Sequence, residues 1–292
     1  VPESTKGPGG DIAQVLFQGT IAHMESPAET TDSHSRVSVI TSGVRRTVLL
    51  TSDQVPVEAE HAPGPSGSGR LAIVVAHGFT GALERPALRR AAGRLAAYGG
   101  VVTFSFRGHG GSGGRSTVGD REVLDLEAAV GWARRLGYEK VATVGFSMGG
   151  SVVLRHAALV GVDAVVSVSS PARWYYRGTP PMRRLHWVVT RPVGRLVSRY
   201  GLHTRIHTRG WDPVPLSPVQ AVPLIPPTPL LVVHGDRDAF FPLDHPRSLA
   251  EAAGPGGAEL WIEPGFGHAE NAAEPELLDR IGAWLTARFP AS

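Results

Sequence analysis

The chain has 292 residues, 42% hydrophobic and 19% charged, with a formal net charge of +3 and arginine far outnumbering lysine. That length supports one large core, the composition is globular rather than disordered, and so mild a charge leaves no footprint for nucleic acid. There is no cysteine, which excludes disulfides, thiolate catalysis and cysteine-ligated metal, and no apolar run approaches the ~20 residues of a membrane span.

Residues 1–24 read as expression-vector sequence. Val15-Leu16-Phe17-Gln18-Gly19 resembles a viral 3C-type protease site, and His23-Met24 a cloning-site scar. No positively charged start leads into an apolar core, so the expected location is cytoplasmic. Residues 25–36 are polar. Val37–Thr41 and Arg46–Ser52 alternate weakly and predict a hairpin-like pair of edge strands. The Pro-, Gly- and Ser-rich stretch from Ala62 to Gly69 is a loop by composition.

Short continuous apolar runs then recur at Leu71–Ala76, Val101–Phe106, Val141–Phe146, Ala164–Val168, Leu230–Val233 and Glu259–Ile262. Strands that are apolar without alternation are buried on both faces, which predicts a mainly parallel sheet flanked by helices. Helical patterns separate them: Glu84–Tyr98, Arg121–Leu136, Met148–Val160, Arg247–Ala253 and Pro275–Phe289. Strand and helix alternate, so the class is α/β.

Residues 171–228 break that rhythm. Connections in α/β units are short, so this stretch is expected to be an insertion between two parts of one core, 25–170 and 229–292. Leu185, Val188, Val189, Leu196 and Tyr200 fall on one helical side, and Arg184, Arg191 and Arg195 on another. Pro192 divides two short helices. The expected insertion is a helical cap over the C-terminal edge of the sheet, where open α/β sheets bind ligands. Its apolar side, with Leu185, Val189 and Leu196, is expected to face the pocket and favour apolar acyl groups.

Gly145-Phe146-Ser147-Met148-Gly149 is a Gly-x-Ser-x-Gly pentapeptide between a predicted strand and a predicted helix. In that setting the motif is a nucleophile elbow: a sharp turn exposes the serine hydroxyl, and flanking glycines let strand and helix close. A serine hydroxyl needs a base to take its proton, and an imidazole titrates near working pH. His268, after the last predicted strand, is the candidate, while Asp236 and Asp238 both lie just past the Leu230–Val233 strand as candidates to orient it.

With His77-Gly78, Arg107-Gly108-His109-Gly110-Gly111-Ser112, the elbow, Gly235-x-x-Asp238 and Gly267-His268 in register, residues 37–289 resemble an α/β-hydrolase. The resemblance implies a cofactor-free and metal-free triad of Ser147, Asp238 and His268. It favours Asp238 as the third residue after the glycine, leaving Asp236 to shape the turn. It also implies an oxyanion hole from the backbone N–H groups of Phe79 and Met148. Trp174, Tyr175, Tyr176 and Trp187 are candidates to line an acyl pocket, with packing of the cap as the competing reading. His77 and His234 read as structural, and His109 as part of a turn.

The expected activity is hydrolysis of a carboxylic ester through an acyl-enzyme on Ser147, with a small-molecule ester as partner. Two alternatives stand beside it. One is an acyl thioesterase whose cap arginines meet the phosphates of coenzyme A or a carrier protein. The other is a non-catalytic ligand-binding protein on the same fold. Gly108 to Gly113 also fits Gly-x-Gly-x-x-Gly, but no helix follows at once and the next strand ends at the elbow rather than at an acid.

Overall fold

A computed structural model describes residues 43–65 and 70–289. The proposed vector sequence and the Val37–Thr41 strand lie outside these residues. Eight strands form one sheet among the described residues: β1 (Arg45–Leu50), β2 (Pro56–Ala62), β3 (Leu71–Ala76), β4 (Gly100–Phe104), β5 (Lys140–Phe146), β6 (Ala164–Val168), β7 (Leu230–Gly235) and β8 (Glu259–Glu263). Their spatial order is β1-β2-β4-β3-β5-β6-β7-β8, parallel from β4 to β8 and antiparallel at the β1–β2–β4 edge.

Among the described residues β1, which overlaps the expected Arg46–Ser52 strand, pairs with β2, whose Val57 lies opposite Leu49. Val57, Ala59 and His61 of β2 turn inward, while Glu58 and Glu60 stay half-buried on the other face. Those charges interrupt any apolar run, so β2 carries only a short period-two signal.

The interior strands are apolar throughout because each face meets its own core. Ala72, Val74 and Ala76 of β3 pack with Leu126, Ala129, Val152 and Leu249. Leu71, Ile73 and Val75, alternating with them, pack with Leu88, Leu95, Leu278 and Ile281 on the opposite face. Helices α1 (Pro86–Leu95), α2 (Glu122–Arg135) and α3 (Met148–Leu159) supply these residues, with later helices that follow β7 and β8. Burial of this kind stabilises by about 25 cal/mol per Å² of apolar surface.

Between β6 and β7 the chain forms α4 (Pro180–Thr190), α5 (Pro192–Gly201) and the single turn α6 (Pro218–Ala221), and no sheet strand. Proline at the first position starts α4 and α5, where its missing N–H costs nothing. The strands β7 and β8 are followed by α7 (Asp244–Ala252), α8 (Ala269–Ala272) and α9 (Pro275–Arg288). Among the described residues no helix is long and apolar enough to cross a membrane.

The order reverses about β3: β4 lies on one side of it and β5 on the other. Connections from β3 and β5 therefore diverge to opposite faces and leave a crevice at the strands' C-terminal ends. The turn after β3 and the elbow after β5 both open into it.

Candidate active site

Ser147 stands at the junction of β5 and α3 with φ +51 and ψ −112, a strained conformation for a residue with a side chain. Close approach on both sides holds it there. A Cβ on Gly145 would stand 2.2 Å from the Gly149 carbonyl oxygen, and one on Gly149 would stand 2.3 Å from that of Ala76. The Ser147 N–H donates to Val168 O at 2.9 Å, tying the turn to β6.

Three side chains predicted from sequence meet at this point. His268 Nε2 lies 3.0 Å from Ser147 Oγ, and His268 Nδ1 lies 2.7 Å from Asp238 Oδ2. Asp238 is fully buried and His268 is 16% exposed, so the chain of hydrogen bonds runs from the interior toward the crevice. Asp238 Oδ1 accepts the N–H groups of Phe240 at 2.8 Å and Phe241 at 3.1 Å. Burial pushes the Asp238 carboxyl upward, but the His268 hydrogen bond and charge, with those amides, outweigh it and hold it below the usual carboxylate range. The Phe240 ring stacks on the imidazole with centroids 4.2 Å apart, fixing its plane.

Asp236 lies outside this chain. Its Oδ1 accepts the Gly265 N–H at 2.7 Å, shaping the turn that leads to His268. His234 Nε2–H donates to Phe241 O at 2.8 Å, and burial keeps its imidazole below the usual value and neutral. His77 is buried, and burial pushes it down to about 3. Its Nδ1–H donates to Gly78 O at 2.7 Å and its Nε2 accepts the Phe106 N–H at 3.0 Å, which shapes the turn carrying Phe79. His109 is buried and places Nδ1 3.0 Å from Arg107 O within its glycine-rich turn. In that turn the Gly111 N–H already donates to Glu58 and the Gly113 N–H to Pro56 O.

Phe79 and Met148 both line the cavity beside Ser147. Among the described residues no backbone acceptor takes the N–H of either. The cavity measures about 340 Å³, and Trp174, Tyr175, Leu185 and Val189 line it too. Backbone bonds seat this part of the β6–β7 segment on the loop after β4. Ser116 N–H donates to Arg205 O at 2.7 Å, and His207 N–H returns to Ser116 O at 2.8 Å.

Several expectations for the segment are corrected. Trp187 is 46% exposed and Leu196 56% exposed, and neither lines the cavity. Arg184 and Arg191 also face solvent away from it, whereas Arg195 lines it. The break at Pro192 sets α5 at a new direction from α4, so one helical wheel drawn across both assigns Leu196 to the wrong side.

Sequence reading does not pick out Trp211 or Glu270, while Tyr176, a candidate from sequence, lines the cavity. Trp211 packs on Trp174 and Tyr175 with centroids 5.1 and 5.4 Å apart, and its Nε1–H donates to Thr117 O at 2.6 Å. Tyr176 packs edge-on against His245 at 4.5 Å. Glu270 is buried, and its Oε1 accepts the Gly78 N–H at 2.8 Å. Its only sequence signal is a carboxylate two residues after His268. Among the described residues no cluster of three or more His, Cys, Asp or Glu could hold a metal ion.

The arrangement pairs a serine hydroxyl with an imidazole whose far nitrogen meets a buried carboxylate, beside free amides and an apolar cavity. Comparison with known proteins bears on it. The Alpha/beta hydrolase family model matches residues 73–280. The chain is 28% identical over 266 residues to Monoacylglycerol lipase of Mycolicibacterium smegmatis, covering 77% of this chain and 91% of that protein. It is 30% identical over 153 residues to Esterase LipC of Mycobacterium tuberculosis, covering 45% of this chain but only 36% of that longer relative. In fold it resembles the Pyrococcus furiosus esterase Pf2001, with TM-score 0.66 and 22% identity over 90% of this chain and 99% of that one. With the family model matched over most of its length and the sheet order in agreement, the chain belongs to the alpha/beta hydrolase family.

Proposed function

We propose that this protein is a serine hydrolase that cleaves carboxylic esters through an acyl-enzyme on Ser147. One observation carries the reading: Ser147, His268 and Asp238 form a continuous hydrogen-bonded chain that ends at an apolar cavity. The names of the esterase and lipase relatives support ester cleavage as the class of reaction.

In this reading His268 Nε2 takes the Ser147 Oγ proton as the oxygen attacks the ester carbonyl carbon. Asp238 holds the Nδ1–H tautomer and stabilises the imidazolium. The N–H groups of Phe79 and Met148 receive the developing oxyanion, each worth about 3 kcal/mol in sites of this kind. The imidazolium returns its proton to the leaving alkoxide, releasing the alcohol. Water, activated by the same imidazole, then attacks the acyl-serine and frees the acid. The β6–β7 segment acts as a cap over the cavity, with Trp174, Tyr175, Leu185 and Val189 taking an apolar acyl group.

The test is intact mass after incubation with a fluorophosphonate, together with hydrolysis of 4-nitrophenyl esters of rising acyl length. One adduct on the native chain, none on Ser147→Ala, and faster turnover of medium-chain esters than of acetate are expected. No adduct on folded protein would overturn the serine-nucleophile reading. Equal rates at every acyl length would overturn the apolar acyl pocket.

A further inference from the structure

The cavity is apolar in its interior and one-signed in its charge. Arg173, Arg177, Arg195 and Arg209 line it, and no aspartate or glutamate does. Three of the four have no carboxylate partner among the described residues; only Arg173 is paired, with Asp244. Arg177 Nε–H donates to His186 Nδ1 at 3.3 Å, and burial together with the Arg177 charge keeps that imidazole below its usual value and neutral. The pair therefore keeps the full guanidinium charge. Arg195 spends one nitrogen on the Val189 and Thr190 carbonyls at the end of α4. Arg209 follows His207, whose Nδ1 accepts the Arg209 backbone N–H at 3.2 Å, so the turn is held and the side chain is left free.

Glu122, a buried carboxylate behind the lining, is already taken. Its oxygens accept from Ser116 Oγ at 2.8 Å, Thr117 Oγ1 at 2.6 Å and the N–H of Gly119 at 2.9 Å. Arg177 and Arg209 are solvent-exposed, so their unpaired guanidinium groups stand at the rim of the cavity as forks for carboxylate or phosphate oxygens, in a field that salt screens.

Building on the proposed ester-cleaving reading, we infer that the preferred substrate is an anionic acyl ester, whose carboxylate or phosphate is held by Arg177 and Arg209 while its acyl chain enters the apolar cavity. Arg195 adds to the field. The charge lies either at the far end of the acyl chain or on the leaving group, and the two are separable by matched substrates.

The experiment compares 4-nitrophenyl hexanoate with the 4-nitrophenyl half-ester of adipate, which adds a terminal carboxylate to the acyl chain. It also compares the N-acetylcysteamine thioester of hexanoate with hexanoyl-coenzyme A, which adds phosphates to the leaving group. In at least one pair the anionic member is expected to have a kcat/KM about tenfold higher on the native protein. Arg177→Gln with Arg209→Gln is expected to raise its KM about tenfold while the neutral member stays within about twofold. Raising salt from about 0.05 to about 0.5 M should narrow the preference. Arg195 is left unchanged because it also holds α4.

Binding of the same four compounds to Ser147→Ala by calorimetry separates this inference from the reading beneath it. Tighter binding of an anionic member, lost in the arginine double variant, supports the anion site even if no ester is hydrolysed. Equal affinity within both pairs, or an arginine double variant that weakens neutral and anionic members alike, overturns it.

Discussion

Glu270 Oε1 accepts the Gly78 N–H at 2.8 Å across 192 positions of chain. The link joins the turn that bears Phe79 to the segment that bears His268. Burial raises the Glu270 carboxyl above its usual value, the Gly78 N–H pulls it part of the way back, and its Oε2 has no protein partner. Glu270→Gln keeps the Oε1 acceptor and the side-chain shape, and is expected to hold kcat within about threefold. Glu270→Ala strands a buried N–H, at about 1–3 kcal/mol of stability, and loosens the amide next in line. Its kcat is expected to fall about 10- to 100-fold with KM nearly unchanged, since small misplacements of reacting groups carry costs of that size. Steady-state kinetics on both variants decide it; a change confined to KM would remove the positioning role.

Asp238→Asn keeps the shape of the proposed triad but cannot enforce the same imidazole tautomer. Loss of this carboxylate in comparable triads lowers kcat about ten-thousandfold. A similar drop is expected here, with fluorophosphonate labelling slowed in proportion. Asp236→Asn should leave kcat within about threefold, because that side chain meets Gly265 rather than the imidazole. Equal losses in the two variants would shift the orienting role away from Asp238.

Val189 lines the cavity on α4. Val189→Trp fills part of the 340 Å³. Turnover of octanoyl esters is expected to fall by more than about tenfold while acetyl esters change little, as pocket-filling changes usually divide substrates by size. Loss of activity on both alike would indicate a collapsed fold instead, and a thermal melt checks that.

Asp53 meets Arg107 through two nitrogens, at 2.8 and 2.9 Å. Burial pushes its carboxyl up, but hydrogen bonds from Arg107 and Thr51 prevail and bring it from 3.8 down to about 2. A folded value below the unfolded one adds stability that is complete above about pH 4 and lost as pH falls toward 2. That difference corresponds to about 2 kcal/mol. Asp53→Asn is therefore expected to be about 2 kcal/mol less stable than the native chain at pH 7, with the gap closing toward pH 2. Denaturant melts across pH measure it; a gap independent of pH would assign the loss to packing.

The interior strands were legible because burial on both faces leaves an unbroken apolar run, as in Leu71–Ala76 and Val141–Phe146. Ser147 was legible because the elbow needs Gly145 and Gly149 at fixed offsets, where any Cβ would strike backbone. His268 and an aspartate after β7 were legible from their places in chain order, a local property, while the choice of Asp238 over Asp236 rested on the family resemblance. The partner of β1 was not, since β2 alternates with glutamates and pairing depends on what lies across the sheet. Nor were the inward sides of α4 and α5, because spacing gives a helix a stripe but not the direction in which a proline break turns it. Glu270, Trp211 and Arg209 reach the site only through contacts made across long stretches of chain. Local periodicity and steric necessity are written along the chain; meetings of distant side chains are settled by how the layers pack.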